Sequence, residues 1–200
     1  VRDSLQIAFE KSKYLTLDRQ SRLKEIAAYL RDSIDQGLVP QLTFICTHNS
    51  RRSHLGQIWA KVMADYYGYP SVQTYSGGTE ATAFNPNAIA ALREQGLQIE
   101  ALTEGQNPHY MIRYSEEQAK LETWSKVYDQ APNPQAAFCA IMTCSEADEA
   151  CPVVFGASKR VSLPYEDPKK SDGTPEQAAI YQARSLEIAS EMAFVFQQLG

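Results

Sequence analysis

The chain has 200 residues, 44% of them apolar, which is enough for one well-packed domain with an appendage. A formal net charge of −5 and a pI near 5.3 argue against a nucleic-acid binder, which needs a positive footprint. No apolar run approaches the length of a membrane span, no secretory signal is visible, and four cysteines are too few for a disulfide scaffold of this size, so a cytoplasmic protein with reduced thiols is expected.

The first 38 residues read as a helical extension. Ser21 to Asp35 carries Leu23, Ile26, Ala27, Leu30 and Ile34 at helical spacing, Gly37 marks a stop, and a shorter helix is expected from about Ser4 to Lys13. The extension carries no chemistry and is expected to pack on the remainder, residues 39–200, or on a second subunit in a homodimer. From Leu42 onward strands and helices alternate, which predicts an α/β fold: a parallel twisted sheet with helices on both faces.

The first strand, Leu42-Thr43-Phe44-Ile45, runs into Cys46-Thr47-His48-Asn49-Ser50-Arg51-Arg52-Ser53, and a helix with Leu55, Ile58, Trp59, Val62 and Met63 on one face comes next. Val72 to Tyr75 is a second strand ending in Ser76-Gly77-Gly78. Pro86 opens a helix that stops at Gly96. Tyr110, Ile112 and Tyr114 alternate with polar residues, and Ser115-Glu116-Glu117-Gln118 turns back into Leu121 to Trp124, a β-hairpin insertion. Ala136 to Met142 is a central strand, Lys159 to Leu163 a further one, and Pro175 starts a long final helix.

The chemistry concentrates in residues 46–53. Cys46 stands at the end of a strand and the positive end of a helix, where backbone N–H groups and the helix dipole favour an oxyanion and a thiolate over a thiol. Arg52 adds a planar fork of donors that matches a tetrahedral oxyanion. Asn49 tolerates left-handed backbone angles and holds the loop through its amide. The site is suited to attack on phosphate or a phosphate mimic. Cys144 ends the central strand and Cys151 lies seven residues later, a layout for a disulfide relay and equally for two unconnected core cysteines; a zinc site lacks a second ligand pair. Cys139, inside the apolar strand, reads as core. Asp167, before Pro168 at the end of the last strand, is a candidate to donate a proton to a leaving oxygen, the other reading being an Asp that starts a turn before Pro. His48, His54 and His109 read as non-catalytic.

The Cys-x5-Arg-Ser loop after the first strand, with Asp167-Pro168 before the last helix, resembles the low-molecular-weight protein tyrosine phosphatase superfamily. Within it, Tyr75 to Gly78, Asn85-Pro86 and Cys144 to Pro152 resemble the thioredoxin-coupled arsenate reductases, over about residues 40 to 200. The resemblance implies Cys46 as nucleophile, Arg52 as oxyanion holder, Ser53 as thiolate stabiliser, Asp167 as acid, and Cys144 and Cys151 as successive resolving thiols. His48 departs from the usual Gly of that loop and Arg51 from a frequent second Cys. Gln57 stands where those reductases have a metal-binding Glu, and the longer segment from about Ile99 to Gln130 crosses the region of their potassium site, so no cofactor is expected and potassium is the one candidate. The leading expectation is reduction of arsenate to arsenite with thioredoxin as electron donor. The alternative is hydrolysis of phosphotyrosine through a phospho-cysteine, and a third reading is a redox sensor or anion-binding module without turnover.

Overall fold

Two apolar runs that are buried along almost their whole length, Leu42–Cys46 and Phe138–Met142, pair with each other at the centre of a parallel sheet. The computed structural model describes residues 1–115, 120–150 and 153–200. Among them the elements in chain order are α1 (Arg2–Ser12), α2 (Leu17–Asp35), β1 (Gln41–Cys46), α3 (Arg52–Tyr66), β2 (Gln73–Gly78), α4 (Pro86–Glu94), β3 (Gln98–Ala101), β4 (Tyr110–Arg113), β5 (Leu121–Thr123), β6 (Phe138–Met142), α5 (Ser145–Ala150), β7 (Ala157–Ser162) and α6 (Gln177–Gln197). The parallel sheet has the order β2-β1-β6-β7, and β3-β4-β5 form a separate antiparallel sheet. That second sheet contains the expected hairpin and adds β3 to it; the turn residues 116–119 lie outside the described residues.

The pleat sorts the side chains of the parallel sheet into two layers. Leu42 and Phe44 of β1 and Cys139 and Ile141 of β6 enter the larger core with the apolar faces of α1, α2, α3, α4 and α6. Ile45, Phe138, Ala140 and Met142 face the other way and cluster with Cys46 and Cys144 at the strand ends, and the only helical contribution there among the described residues is Ala147 of α5. Helices therefore cover both faces, one heavily and one thinly. Cys46 and Cys144 share the thin layer.

The N-terminal helices are part of the large core: Ala8, Leu23, Ile26, Ala27 and Leu30 are buried in it. Arg19 of α2 makes a bidentate pair with Glu191 of α6 at 2.7 Å for both contacts and donates to the Pro164 carbonyl at 3.1 Å. Tyr165 donates its hydroxyl to the same carboxylate at 2.6 Å. No helix of the described residues is long and apolar enough to cross a membrane.

Helix α3 lies against β1 at a glycine. A Cβ built on Gly56 would sit 2.4 Å from Cδ1 of Phe44, whose ring is fully buried. Alanine is better than glycine in a helix by about 1 kcal/mol, whereas overpacking a filled core costs about 1–3 kcal/mol. Gly56→Ala should therefore lower the urea midpoint, and Phe44→Leu in the same chain should restore part of the loss. A stabilised Gly56→Ala would show that α3 and β1 are not in contact here.

Candidate active site

The loop between β1 and α3 is shaped by what its carbonyl groups bind. Cys46 O accepts from Thr79 N at 3.1 Å, Thr47 O from Glu80 N at 2.9 Å and Thr79 Oγ1 at 3.1 Å, and Ser50 O from Asn85 N at 2.9 Å. His48 O accepts from Thr82 Oγ1 at 3.0 Å and Ser125 Oγ at 3.2 Å. In a trans peptide the C=O of one residue and the N–H of the next point in opposite directions. Carbonyls turned toward the surrounding segments leave the N–H groups of Thr47, His48, Asn49 and Arg51 as donors on the inner side. Gly78 makes the close approach possible: a Cβ there would meet Glu80 O at 2.2 Å and Asn49 N and Thr47 O at 2.7 Å.

Asn49 takes the left-handed conformation, φ 44°, expected of a short amide side chain at such a corner. It is fully buried, donates Nδ2–H to Ser53 Oγ at 2.9 Å and accepts from the Lys126 N–H at 2.8 Å. Ser53 Oγ lies 3.0 Å from Cys46 Sγ. With the amide donating to the hydroxyl oxygen, the hydroxyl hydrogen is free to donate to a thiolate.

Arg52, in the first turn of α3, donates from Nη1 to Tyr165 O and from Nη2 to Asp167 Oδ2, each at 3.0 Å. Asp167 caps the 3-10 turn Pro168–Ser171 by accepting Lys169 N–H at 3.0 Å. Arg51 donates from Nε to Tyr181 OH at 2.9 Å and pairs with Asp172 at 3.6 Å. Among the described residues, Cys46, His48, Ser50, Arg51, Arg52 and Asp167 line one small pocket, and none of them is Phe, Tyr or Trp. His48 stands at the rim in a pair with Glu80 at 2.9 Å.

Cys144 comes directly after Thr143 at the end of β6, on the same sheet edge, and is fully buried. Its sulfur lies 3.5 Å from Thr47 Oγ1 and accepts the Ala147 N–H at 3.4 Å. The acidic segment after it is a short helix, α5, exposed except at Ala147 and Asp148, and Asp148 ties it down through Arg160 and Ser162 Oγ. Cys151 lies outside the described residues. Cys139 sits in the large core, where burial pushes its thiol up, away from reactivity. The structure thus brings together Cys46, Arg52, Ser53, Asp167 and Cys144, and leaves His109 apart, stacked on Trp124.

A polar cluster lies behind the loop around Gln57, the position the resemblance compares with a metal-binding Glu. His54, 0% exposed, places Nδ1 3.0 Å from Thr123 Oγ1. Gln57 donates to Thr74 O at 3.1 Å and accepts from Thr123 Oγ1 at 2.9 Å. Thr123 thus gives its one proton to Gln57 and accepts from His54, which assigns the proton of His54 to Nδ1. His54 Nε2 has no hydrogen-bond partner among the described residues. Thr123, at the end of β5, and Ser125 and Lys126, in the strap beyond it, lie at sequence separations of 66 to 77 from their partners. In the sequence, this region is marked only by the return strand of the expected hairpin, Leu121 to Trp124.

Burial, and next the charge of Lys126, hold His54 well below its ordinary value, so it stays neutral in the folded state. The unfolded chain takes up a proton below its own pKa of about 6.5, so stability is complete above that pH and falls below it, by about 1.4 kcal/mol one unit down. Urea melts of wild type and His54→Gln between neutral and mildly acid pH should converge as the pH falls. Parallel curves would mean that His54 is protonated in the fold.

A family model described as low molecular weight phosphotyrosine protein phosphatase matches residues 41–113. An arsenate reductase from Halalkalibacterium halodurans is 31% identical over 134 residues, 67% of this chain and 78% of that protein. An arsenate reductase from Bacillus subtilis is 29% identical over 150 residues, 74% of this chain and 89% of that protein. In three dimensions a low-molecular-weight phosphotyrosine phosphatase from Vibrio cholerae shares the fold at TM-score 0.52 and 14% identity, covering 80% of this chain and 95% of its own. A YwlE mutant from Bacillus subtilis does so at TM-score 0.53 and 18% identity, covering 80% and 98%. This chain belongs to the low-molecular-weight phosphotyrosine phosphatase superfamily with its arsenate reductase members, and is an enzyme of one of those two kinds.

Proposed function

We propose that the enzyme reduces arsenate to arsenite through a thiol relay. The observation that carries this reading is the second thiol: Cys144 Sγ is 3.5 Å from Thr47 of the oxyanion loop and shares an apolar cluster with Cys46. Hydrolysis of a phosphate ester needs Cys46, Arg52, Asp167 and water, and has no use for a second cysteine there. The relatives named arsenate reductase support the same direction.

In this reading the N–H groups of the loop and the Arg52 guanidinium hold the tetrahedral anion. Its arrival takes Arg52 Nη2 from Asp167, which then supplies the proton for the departing oxygen. The Cys46 thiolate attacks arsenic, a sulfur–arsenic bond forms, and an arsenic–oxygen bond breaks to release water. Cys144 then attacks the Cys46 sulfur. The sulfur–sulfur bond forms as the sulfur–arsenic bond breaks, and its electron pair stays on arsenic, which leaves as arsenite. Cys151 displaces Cys46 from the mixed disulfide, and a dithiol reductant of the thioredoxin type reduces the final Cys144–Cys151 bond. Arsenate and two thiols give arsenite, one disulfide and water.

The geometry of Cys46, Arg52 and Asp167 also supports phosphomonoester hydrolysis, the second reading. A pocket with no Phe, Tyr or Trp among its described lining residues, and the exposed Lys169 and Lys170 beside Asp167, suit a small inorganic anion better than a phenyl ring.

Arsenite release should require a thioredoxin system for multiple turnovers. Cys144→Ser should abolish those turnovers while hydrolysis of a phosphotyrosine mimic by the same preparation stays at its wild-type level. Full arsenate turnover by Cys144→Ser would remove the relay and leave the phosphatase reading in its place.

A further inference from the structure

The thioredoxin-coupled arsenate reductases that the sequence resembles have a potassium site with a metal-binding glutamate, where this chain has Gln57. The residues here do not fit a potassium ion. Gln57 replaces the carboxylate, and its one acceptor oxygen is already engaged by Thr123 Oγ1 at 2.9 Å. Thr123 and Ser76 place their oxygens 3.0 and 3.3 Å from His54 Nδ1. A hard cation is held by anionic or uncommitted oxygens, and the cluster formed by Asn49, His54, Gln57, Ser76 and Thr123 contains no carboxylate.

The chain supplies a cation of its own. Lys126 is 4% exposed, and its ammonium donates to Trp124 O at 3.1 Å and lies 4.5 Å from the centroid of the Trp124 ring. Among the described residues no carboxylate comes within ion-pair distance of it. We propose that Lys126 is a positioning residue of the oxyanion loop, a covalently attached cation that takes the place of a bound metal ion and anchors the hydrogen-bond chain ending on the Cys46 sulfur. The Lys126 N–H donates to Asn49 Oδ1 at 2.8 Å, Asn49 Nδ2 to Ser53 Oγ at 2.9 Å, and Ser53 Oγ reaches Cys46 Sγ at 3.0 Å. With Ser53 Oγ–H donating, every donor in this chain points toward the sulfur.

The backbone of Lys126 is held as firmly as its head. Its carbonyl accepts Gly78 N–H at 2.9 Å, Tyr128 N–H returns to Gly78 O at 2.9 Å, and Val127 forms a parallel bridge with Gly78. The strap thus continues the parallel sheet past β2, and the ammonium folded onto Trp124 O closes its turn. Burial pushes Lys126 down to about 8, with Glu122 opposing, so the group still carries its proton at neutral pH. Burial, and next this charge, hold His54 well below its ordinary value, which leaves the positive charge of this cluster on the lysine. A fixed charge on a strap tied at both ends needs no ion to be captured before the loop is formed.

The inference rests only on Cys46 as nucleophile, which both enzyme readings share, so arsenate turnover is not its test. The readouts are the pH midpoint of Cys46 alkylation and the melting temperature, measured in potassium, sodium and choline chloride at equal ionic strength. Wild type should give the same midpoint and melting temperature in all three salts. Lys126→Met, which keeps the backbone N–H and removes the charge, should raise the midpoint by about one unit. Lys126→Arg should shift it by less than half as much. Lys126→Gln serves where methionine does not fold. A potassium-specific rise in wild-type melting temperature would overturn the inference, and so would a folded Lys126→Met or Lys126→Gln with an unchanged midpoint.

Discussion

An anion site made of backbone requires its carbonyl groups to be bound elsewhere. Here Thr79, Glu80, Thr82 and Asn85, all after β2, together with Ser125 of the strap, donate to the loop carbonyls and turn them away from the pocket. Left alone, the carbonyls of residues 46–50 would be free to rotate inward and repel an oxyanion. The loop's shape is therefore a property of β2 and of residues 79–85, set by the parallel register of Cys46 with Gly78. The absence of a Cβ at Gly78 lets the two backbones come close enough for these bonds.

The N-terminal helices reach the same site by another path. Arg19 is paired with Glu191, whose side chain is 2% exposed, and Tyr165 joins that carboxylate through its hydroxyl while its own carbonyl receives Arg52. A buried pair of this kind contributes little net stability, but loss of one partner leaves an uncompensated charge and costs about 3–5 kcal/mol. Its value lies in position. Tyr165 cannot shift without disturbing both the extension and the guanidinium over the pocket, and Asp167 is only two residues further along.

The two faces of the sheet are built for different purposes. The thick face, with five helices, carries most of the apolar burial and holds β1 and β6 in register. Among the described residues the thin face has one short helix and eight buried residues, Cys46, Cys144 and Ala147 included. A lightly covered layer opens at lower cost than a deep core. That is where a thiol would have to move if the relay operates, and Asp148, bound to Arg160 and Ser162, is the tie such a movement would break.

The sequence by itself determined the alternation of strands and helices, the place of Cys46 and Arg52 at a strand-to-helix junction, the left-handed corner at Asn49, the antiparallel excursion, and Cys144 and Asp167 on the carboxyl edge of the sheet. These depend on local spacing, on which residues tolerate which backbone angles, and on the rule that parallel strands end on one side. Only the tertiary structure decided that Thr123, Ser125 and Lys126 form the outer wall of the loop, that His54 and Gln57 are neutral members of a buried cluster, and that Arg52 rests on Tyr165 and Asp167. Polar partners separated by 66 to 115 residues leave no periodic trace in a chain. A lysine in a polar stretch reads as solvated until the fold closes over it, because its burial is set by the packing of distant elements and not by its neighbours in sequence.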